Sequence, residues 1–357
     1  MPDRAAPDAG DVSVRRLTHD DVEDALALSS MAGWNQRLDE WRLLIDLAPV
    51  GSFAASIGNR IVGTAIGIDY GAFSWIAMML VEPAYRGRGL GRRLLQAALD
   101  AVPADTPVRL DATPAGRPLY RAHGFDNEAT LTRWIAEAPR LALTDTDARG
   151  NACAVRRLTG DDLDGVTACD AHVFGSNRRA VLHWLLDRAP DYAHAIAHTS
   201  AHARWETAGE RYAGRPVEQP LQYCFGRRGR LFDQIGPVIA SDEDAACALM
   251  DAVLRAVDGR AAVADVFEGQ SRVTTWLQAC GFHPQRPLFR MRRPPQRAAH
   301  DNDVLSNRDG VGPDSSPAIA PDRVGPSRAM AGLKSGPTPS GAVAGLREFV
   351  IAGPEFG

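Results

Sequence analysis

Between Ser74 and Val81 the chain reads Ser-Trp-Ile-Ala-Met-Met-Leu-Val, a run with a single polar residue at its start. An apolar stretch that short and continuous predicts a central strand covered on both faces, not one half-open to water. Upstream, residues 51–56 and 60–70 are strand-like and meet at Gly58-Asn59, which predicts a hairpin. Downstream the period changes. Leu90, Leu94, Leu95 and Ala98 recur on one side of residues 89–101, as an amphipathic helix requires. Residues 108–112 read as a further strand, and 117–122 as a short helix ended by His123 and Gly124.

The pattern is used twice. Val14, Arg15, Arg16, Leu17, Thr18, Asp20 and Asp21 recur as Val155, Arg156, Arg157, Leu158, Thr159, Asp161 and Asp162. Leu44, Ala48 and Pro49 recur as Leu185, Ala189 and Pro190, every pair 141 residues apart. A fixed offset held over that length marks an internal duplication. Each copy is expected to open on a short strand. A helix capped by Thr18 or Thr159 follows, with acids in its first turn. Strands interleaved with helices place both copies in the α/β class, or α+β with a mixed sheet. The expected units are residues 12–140 and 151–293.

Residues 294–345 are rich in Pro, Gly, Ser and Asp and poor in large apolar groups, so they are expected to be a disordered linker. The segment 346–357 differs, because Phe349, Val350 and Ile351 could add a strand or plug to the folded body; a frayed end is the other reading.

Bulk composition narrows the function classes. The chain has 357 residues, 45% hydrophobic and 24% charged, with a formal net charge of -4. That charge gives no overall attraction to nucleic acid or an anionic membrane. No apolar run has the length of a membrane span and the start has no signal-peptide core, so a cytoplasmic protein is expected. Cys153, Cys169, Cys224, Cys247 and Cys280 are odd in number and scattered, which argues against a disulfide framework and against a metal site.

The candidate chemistry lies where the central strand ends. Glu82 and Pro83 stop its pairing, and Gly87, Gly89 and Gly91 then alternate into the amphipathic helix. Glycines let a backbone approach a ligand closely, and a helix N-terminus offers unpaired N–H groups at its positive end. With Arg86, Arg88, Arg92 and Arg93 beside them, these groups make an anion site suited to a diphosphate. The P-loop string is absent, and the glycine spacing departs from the Rossmann fingerprint.

The segment from Arg86 through Gly89 to Gly91 resembles the acyl-CoA signature of the GNAT N-acetyltransferase superfamily, Q/R-x-x-G-x-G/A, and it follows the apolar strand and proline turn that go with it. The resemblance implies two GNAT-like domains, each a central mixed sheet flanked by helices. It implies acetyl-CoA, or another acyl-CoA, as co-substrate and no metal. The cofactor-binding residues would be Leu80, Val81, Arg86, Gly87, Arg88, Gly89, Leu90, Gly91 and Arg92. Backbone N–H groups near Leu80 and Val81 would also polarise the thioester carbonyl. By similarity Tyr120, four residues before Gly124, is the acid that protonates the leaving thiolate. Asp111 would orient the acceptor amine or cap its loop; His123 would act as a base or cap helix carbonyls; Glu82 would relay a proton through water or sit solvated in its turn. Trp34, Asn35 and Trp41 fall in the segment that lines the acceptor pocket in this superfamily.

The implied function is N-acetyl transfer to a primary amine, a small molecule, by direct attack in a ternary complex. A non-catalytic acyl-CoA sensor is the alternative. A nucleic-acid module fits worse, because the basic cluster is short and lacks an aromatic platform. In the second copy Ser241, Asp242, Glu243 and Asp244 replace the arginine-glycine turn and Leu277 replaces Tyr120, so that copy is expected to be inactive. The sequence carries no signal for oligomeric state.

Overall fold

The protein is described by a computed structural model over residues 12–141, 155–196, 221–295 and 345–356. The first copy runs β1 (Val12–Arg16), α1 (Val22–Met31), α2 (Leu38–Leu47), β2 (Ser52–Ile57), β3 (Arg60–Asp69), β4 (Ser74–Val81), α3 (Leu90–Asp100), β5 (Val108–Ala112), α4 (Arg117–Arg121) and β6 (Asp126–Ala136). The second repeats the order as β7 (Val155–Arg157), α5 (Leu163–Phe174), α6 (Arg179–Arg188), β8 (His194–Ile196), β9 (Gln222–Arg227), β10 (Asp233–Ala240), α7 (Glu243–Val257), β11 (Ala262–Phe267), α8 (Ser271–Ala279) and β12 (His283–Arg293). The chain closes with β13 (Arg347–Val350). Nearly all of the expected linker lies outside the described residues, as does Cys153. Cys169, Cys224 and Cys280 are buried, Cys247 is half-buried, and none of the four is in a disulfide.

The duplication holds at the level of single hydrogen bonds. Thr18 and Thr159 share the same extended backbone, with φ of -124° at each. Asp21 accepts from the Thr18 backbone N–H at 2.9 Å, and Asp162 does the same for Thr159 at 2.9 Å. Arg15 grips both oxygens of Asp21, as Arg156 grips those of Asp162. The acid three residues on satisfies an N–H group that the helix start leaves orphaned. Leu44 and Leu185 are both fully buried under the sheet.

The two copies share one mixed sheet of thirteen strands among the described residues, ordered β1-β2-β3-β4-β5-β12-β6-β11-β13-β10-β9-β8-β7. Each copy lends its last strand to the other. β12 pairs antiparallel with β5, from Phe289 opposite Ala112 to Arg293 opposite Val108. β6 pairs with β11, from Ala262 opposite Ala136 to Phe267 opposite Leu131. The sequence intervals 12–140 and 151–293 are therefore not two self-contained sheets. The core crosses the same boundary: Trp41, Tyr70, Phe73 and Trp75 of the first copy pack in one cluster with Phe174, Tyr223 and Phe225 of the second and with Phe356.

The two halves differ at one gap. β4 and β5 pair in parallel only at Ser74 with Val108 and Trp75 with Arg109, and then diverge. β10 and β11 likewise pair from Asp233–Ala262 to Ile235–Ala264. There β13 enters, antiparallel to β10 at Val238–Val350, Ile239–Glu348 and Ala240–Arg347, and to β11 at Val266–Val350. Of the two readings of the last residues, the strand is the one observed. Phe349, Val350 and Ile351 are fully buried. Glu348 lies between Arg178 and Arg290, and Arg178 is held in turn by buried Asp170.

Candidate active site

After β4 the chain makes a short helical turn at Pro83–Tyr85 and reaches the glycines. Gly87 and Gly89 have φ of +76° and +79°, a backbone that residues with a side chain rarely adopt. A Cβ on either would meet nothing within 4 Å, so the space above the loop is open to a ligand. Gly89 is the N-cap of α3, and no side chain caps that end. Leu90 is buried and fixes the helix start against the sheet. Arg86 donates from Nε to the Val81 carbonyl at 2.9 Å, bracing the turn. Arg88 lies over the buried ring of Tyr85, 5.6 Å from its centroid. Gly91, Arg92 and Arg93 occupy the first turn of α3, the two arginines exposed.

A cleft opens where β4 parts from β5. It holds about 790 Å3 of empty space, its mouth included, and Met78, Met79, Asp111, Thr113, Gly116 and Tyr120 are among the first-copy residues that line it. Pairing of β3 with β4 shifts between Thr64–Leu80 and Ile66–Ala77, so Met78 and Met79 form a bulge, with φ of 51° at Met78. Bulges release backbone groups from the ladder. The irregular backbone facing the cleft is thus at Met78 and Met79, two residues before the Leu80 and Val81 pair expected to polarise a carbonyl.

Tyr120 lines the cleft with 8% of its surface exposed. Its ring packs against Phe125 and lies so close to Gly116 that a Cβ there would come within 3.1 Å of it. Burial pushes the phenol well above the usual tyrosine range, so it stays protonated and able to donate at neutral pH. Asp111 is also in the wall, but both its oxygens accept from Arg290 at 3.0 Å. Its carboxylate holds that guanidinium in a two-point ion pair. His123 Nδ1 is 2.8 Å from the Leu119 carbonyl, the helix-capping role. Glu82 is held through both oxygens by Arg60 at 2.6 and 2.7 Å.

Of the three acceptor-pocket candidates, Trp34 and Asn35 reach the cleft and Trp41 does not. Trp41 is fully buried between α1 and α2, with its Nε1 donating to Ser29 at 3.2 Å; an indole in that register completes the core. Asn35 lines the cleft, but its amide is spent on the second copy. It donates to the Phe232 carbonyl at 2.8 Å and accepts from the N–H groups of Leu231 and Phe232.

The remaining wall was not foreseeable from local motifs. Arg133 comes from exchanged β6, Arg286 and Leu288 from exchanged β12, Arg227 and Gln234 from the second copy, and Pro354 and Glu355 from the chain end. They converge only through the strand exchange and the return of the last residues.

At the equivalent place in the second copy, Asp242 is the N-cap of α7 and accepts from the Ala245 N–H at 2.8 Å, so the helix start is occupied by its own carboxylate. Leu277 is fully buried. Gly236 lies so close to the incoming β13 that a Cβ would overlap the Ile351 carbonyl. Among the described residues no group of His, Cys, Asp and Glu side chains is arranged to hold a metal ion, and no helix is long and apolar enough to cross a membrane.

Residues 49–127 match an acetyltransferase (GNAT) domain family, and residues 218–306 match a second acetyltransferase (GNAT) domain family. Two GNAT acetyltransferase domains thus stand in tandem in this chain. It is similar to the uncharacterized N-acetyltransferase YitH of Bacillus subtilis (strain 168), 27% identical over 48% of this chain and 59% of the relative. It is also similar to the mycothiol acetyltransferase of Clavibacter sepedonicus, 31% identical over 50% of this chain and 61% of the relative. The matched region thus spans about three fifths of these relatives' length. Among solved structures, a putative acetyltransferase from Pyrococcus horikoshii superposes with a TM-score of 0.59 at 20% identity, over 83% of this chain and 93% of that one. A tandem GNAT protein from the clavulanic acid biosynthesis pathway gives 0.52 at 13%, over 80% and 99%. Both structures share the fold.

Proposed function

We propose that the protein is an acyl-CoA-dependent N-acyltransferase with one working site per chain, in the first copy. The observation that carries this reading is the open gap between β4 and β5. It joins a loop of left-handed glycines at a bare helix start to a cleft containing an unionised, desolvated Tyr120.

The residues present fit an acyl-CoA. The N–H groups from Gly87 to Gly91 would hold its diphosphate, with Arg92 and Arg93 adding charge at the start of α3. The diverging edge of β4 would take the extended pantetheine by strand-like pairing. The group supplies an activated acyl thioester. Backbone N–H groups near the Met78–Met79 bulge would bind the thioester oxygen, and the Tyr120 hydroxyl would donate to the departing sulfur. In the balanced transfer an N–C bond forms, the C–S bond breaks, and one proton passes from nitrogen to sulfur. The protein's contribution is to position both substrates together, and acetyl is the acyl group proposed. The second copy supports the site and does not repeat it, because β13 fills its gap and Asp242 fills its helix start.

Isothermal calorimetry with acetyl-CoA and thiol release with an amine library test this reading. The expected outcome is one acetyl-CoA per chain, amine-dependent thiol release, and loss of binding in the Gly89→Glu, Gly91→Glu double variant. Binding that survived both changes would refute the placement of the site.

A further inference from the structure

The cleft beside Tyr120 is lined by five charged groups: Asp111, Arg133, Arg227, Arg286 and Glu355. Four of them have opposite-charge partners. Arg133 donates twice to Asp265 at 2.7 and 2.8 Å. Arg227 lies between Glu40 and Glu355. Asp111 holds Arg290. Arg286, on β12, makes no ion pair with a described residue, and its Nε is buried with no hydrogen-bond partner among them. Burial and the neighbouring Arg133 disfavour its charge more than Asp265, which is already bonded to Arg133, favours it. A partly buried guanidinium without a bonded counter-charge costs free energy, and a ligand carboxylate accepting a charge-assisted hydrogen bond would relieve it.

The rest of the wall says what else that ligand carries. Trp34, Met78, Met79, Leu288 and Pro354 present apolar surface, which suits an apolar body. Asp111 and Glu355 sit in the same cleft, so a singly charged anion is accommodated better than a doubly charged phosphate. We infer that the acceptor is an amine that also bears a carboxylate on a largely apolar frame, and that Arg286 is the residue that binds that carboxylate and selects for it. This rests on the acyl-transfer reading and specifies its substrate class.

The test is thiol release from acetyl-CoA by the full chain. The acceptors are a panel of apolar L-α-amino acids and ω-amino acids, each paired with its own carboxamide, and one phosphate-bearing amine, phosphoethanolamine. The wild type is expected to favour the acids over their amides by roughly 10- to 100-fold in kcat/KM, the range for a hydrogen bond to a charged group. Arg286→Gln should bring that ratio to about one by raising KM for the acids, and Arg286→Lys should restore part of it. Acetyl-CoA affinity and the melting curve of each variant establish that the fold and cofactor site persist. Amides as good as acids, a preference that survives Arg286→Gln, or phosphoethanolamine outrunning the acids would each overturn the inference and leave acyl transfer standing. So would a panel inert throughout while other amines in the library are acylated. No thiol release from any amine, with acetyl-CoA bound, would instead remove the transfer reading and this inference with it.

Discussion

Two gaps in one sheet received opposite treatments. Where β4 leaves β5 beyond Trp75, no described strand follows, and the freed backbone faces a cleft. Where β10 leaves β11 beyond Ile235, β13 supplies the missing ladder from the far end of the chain. An unpaired strand edge invites a partner, and the duplicated architecture made two such edges. One is available to an extended ligand and the other is closed by the protein itself. The helix starts follow the same division: a bare glycine at α3, a self-capping aspartate at α7.

The comparison breaks most decisively if the filled gap is emptied. Phe349, Val350, Ile351 and Phe356 are fully buried, and exposing each costs about 1.5–3 kcal/mol. Deleting residues 346–357 should therefore remove on the order of 6–12 kcal/mol, as much as a whole domain's stability. The expected result is loss of a cooperative thermal transition by circular dichroism; a truncated chain melting within about 2 °C of wild type would show that β13 is dispensable. Next in size is Tyr120→Phe. It should lower kcat by about 10²- to 10⁴-fold in the thiol-release assay while acetyl-CoA affinity is kept. Leu277→Ala in the other copy should cost about 2–5 kcal/mol of stability in urea and leave acetyl-CoA affinity intact.

A smaller effect sharpens the contrast between glycines. Gly236→Ala places a Cβ against the Ile351 carbonyl at φ of +131° and should destabilise by roughly 1–3 kcal/mol with no change in acetyl-CoA affinity. Gly87→Ala meets open space, so its larger effect should appear in that affinity. The smallest concerns the twin capping acids. Hydrogen bonds from Arg156 hold the Asp162 carboxyl down to about 2. A lowered carboxyl stabilises the fold above its ordinary value of 3.8 and loses that contribution as pH falls toward about 2. The urea midpoint of Asp162→Asn should thus lie below wild type at pH 7 and converge with it near pH 2. A gap unchanged by pH would assign the effect to packing.

The sequence was informative where structure is local. The strand Ser74–Val81, the glycine turn, α3 and the paired caps are each set by neighbours along the chain, and an offset of 141 residues exposed the duplication. It was blind where distant segments meet. Trp41 and Trp34 look alike in sequence, yet one fills the core and the other faces the cleft, because α2 turns its buried side to α1. Asn35 reads as a polar pocket residue and does line the cleft, but it is also a clasp for Leu231 and Phe232. Asp111 could be placed on its strand, but its Arg290 partner lies 179 residues on. Nothing in the β12 sequence announces that it belongs beside β5.

That exchange has a consequence for biosynthesis. A ribosome delivers β5 long before β12, the neighbour that completes its side of the cleft, and β13 emerges later still. The first copy therefore cannot finish folding as an N-terminal unit during translation, as successive domains commonly do. Its half-built sheet must wait for the second copy, so the cleft can be complete only once β12 has been made.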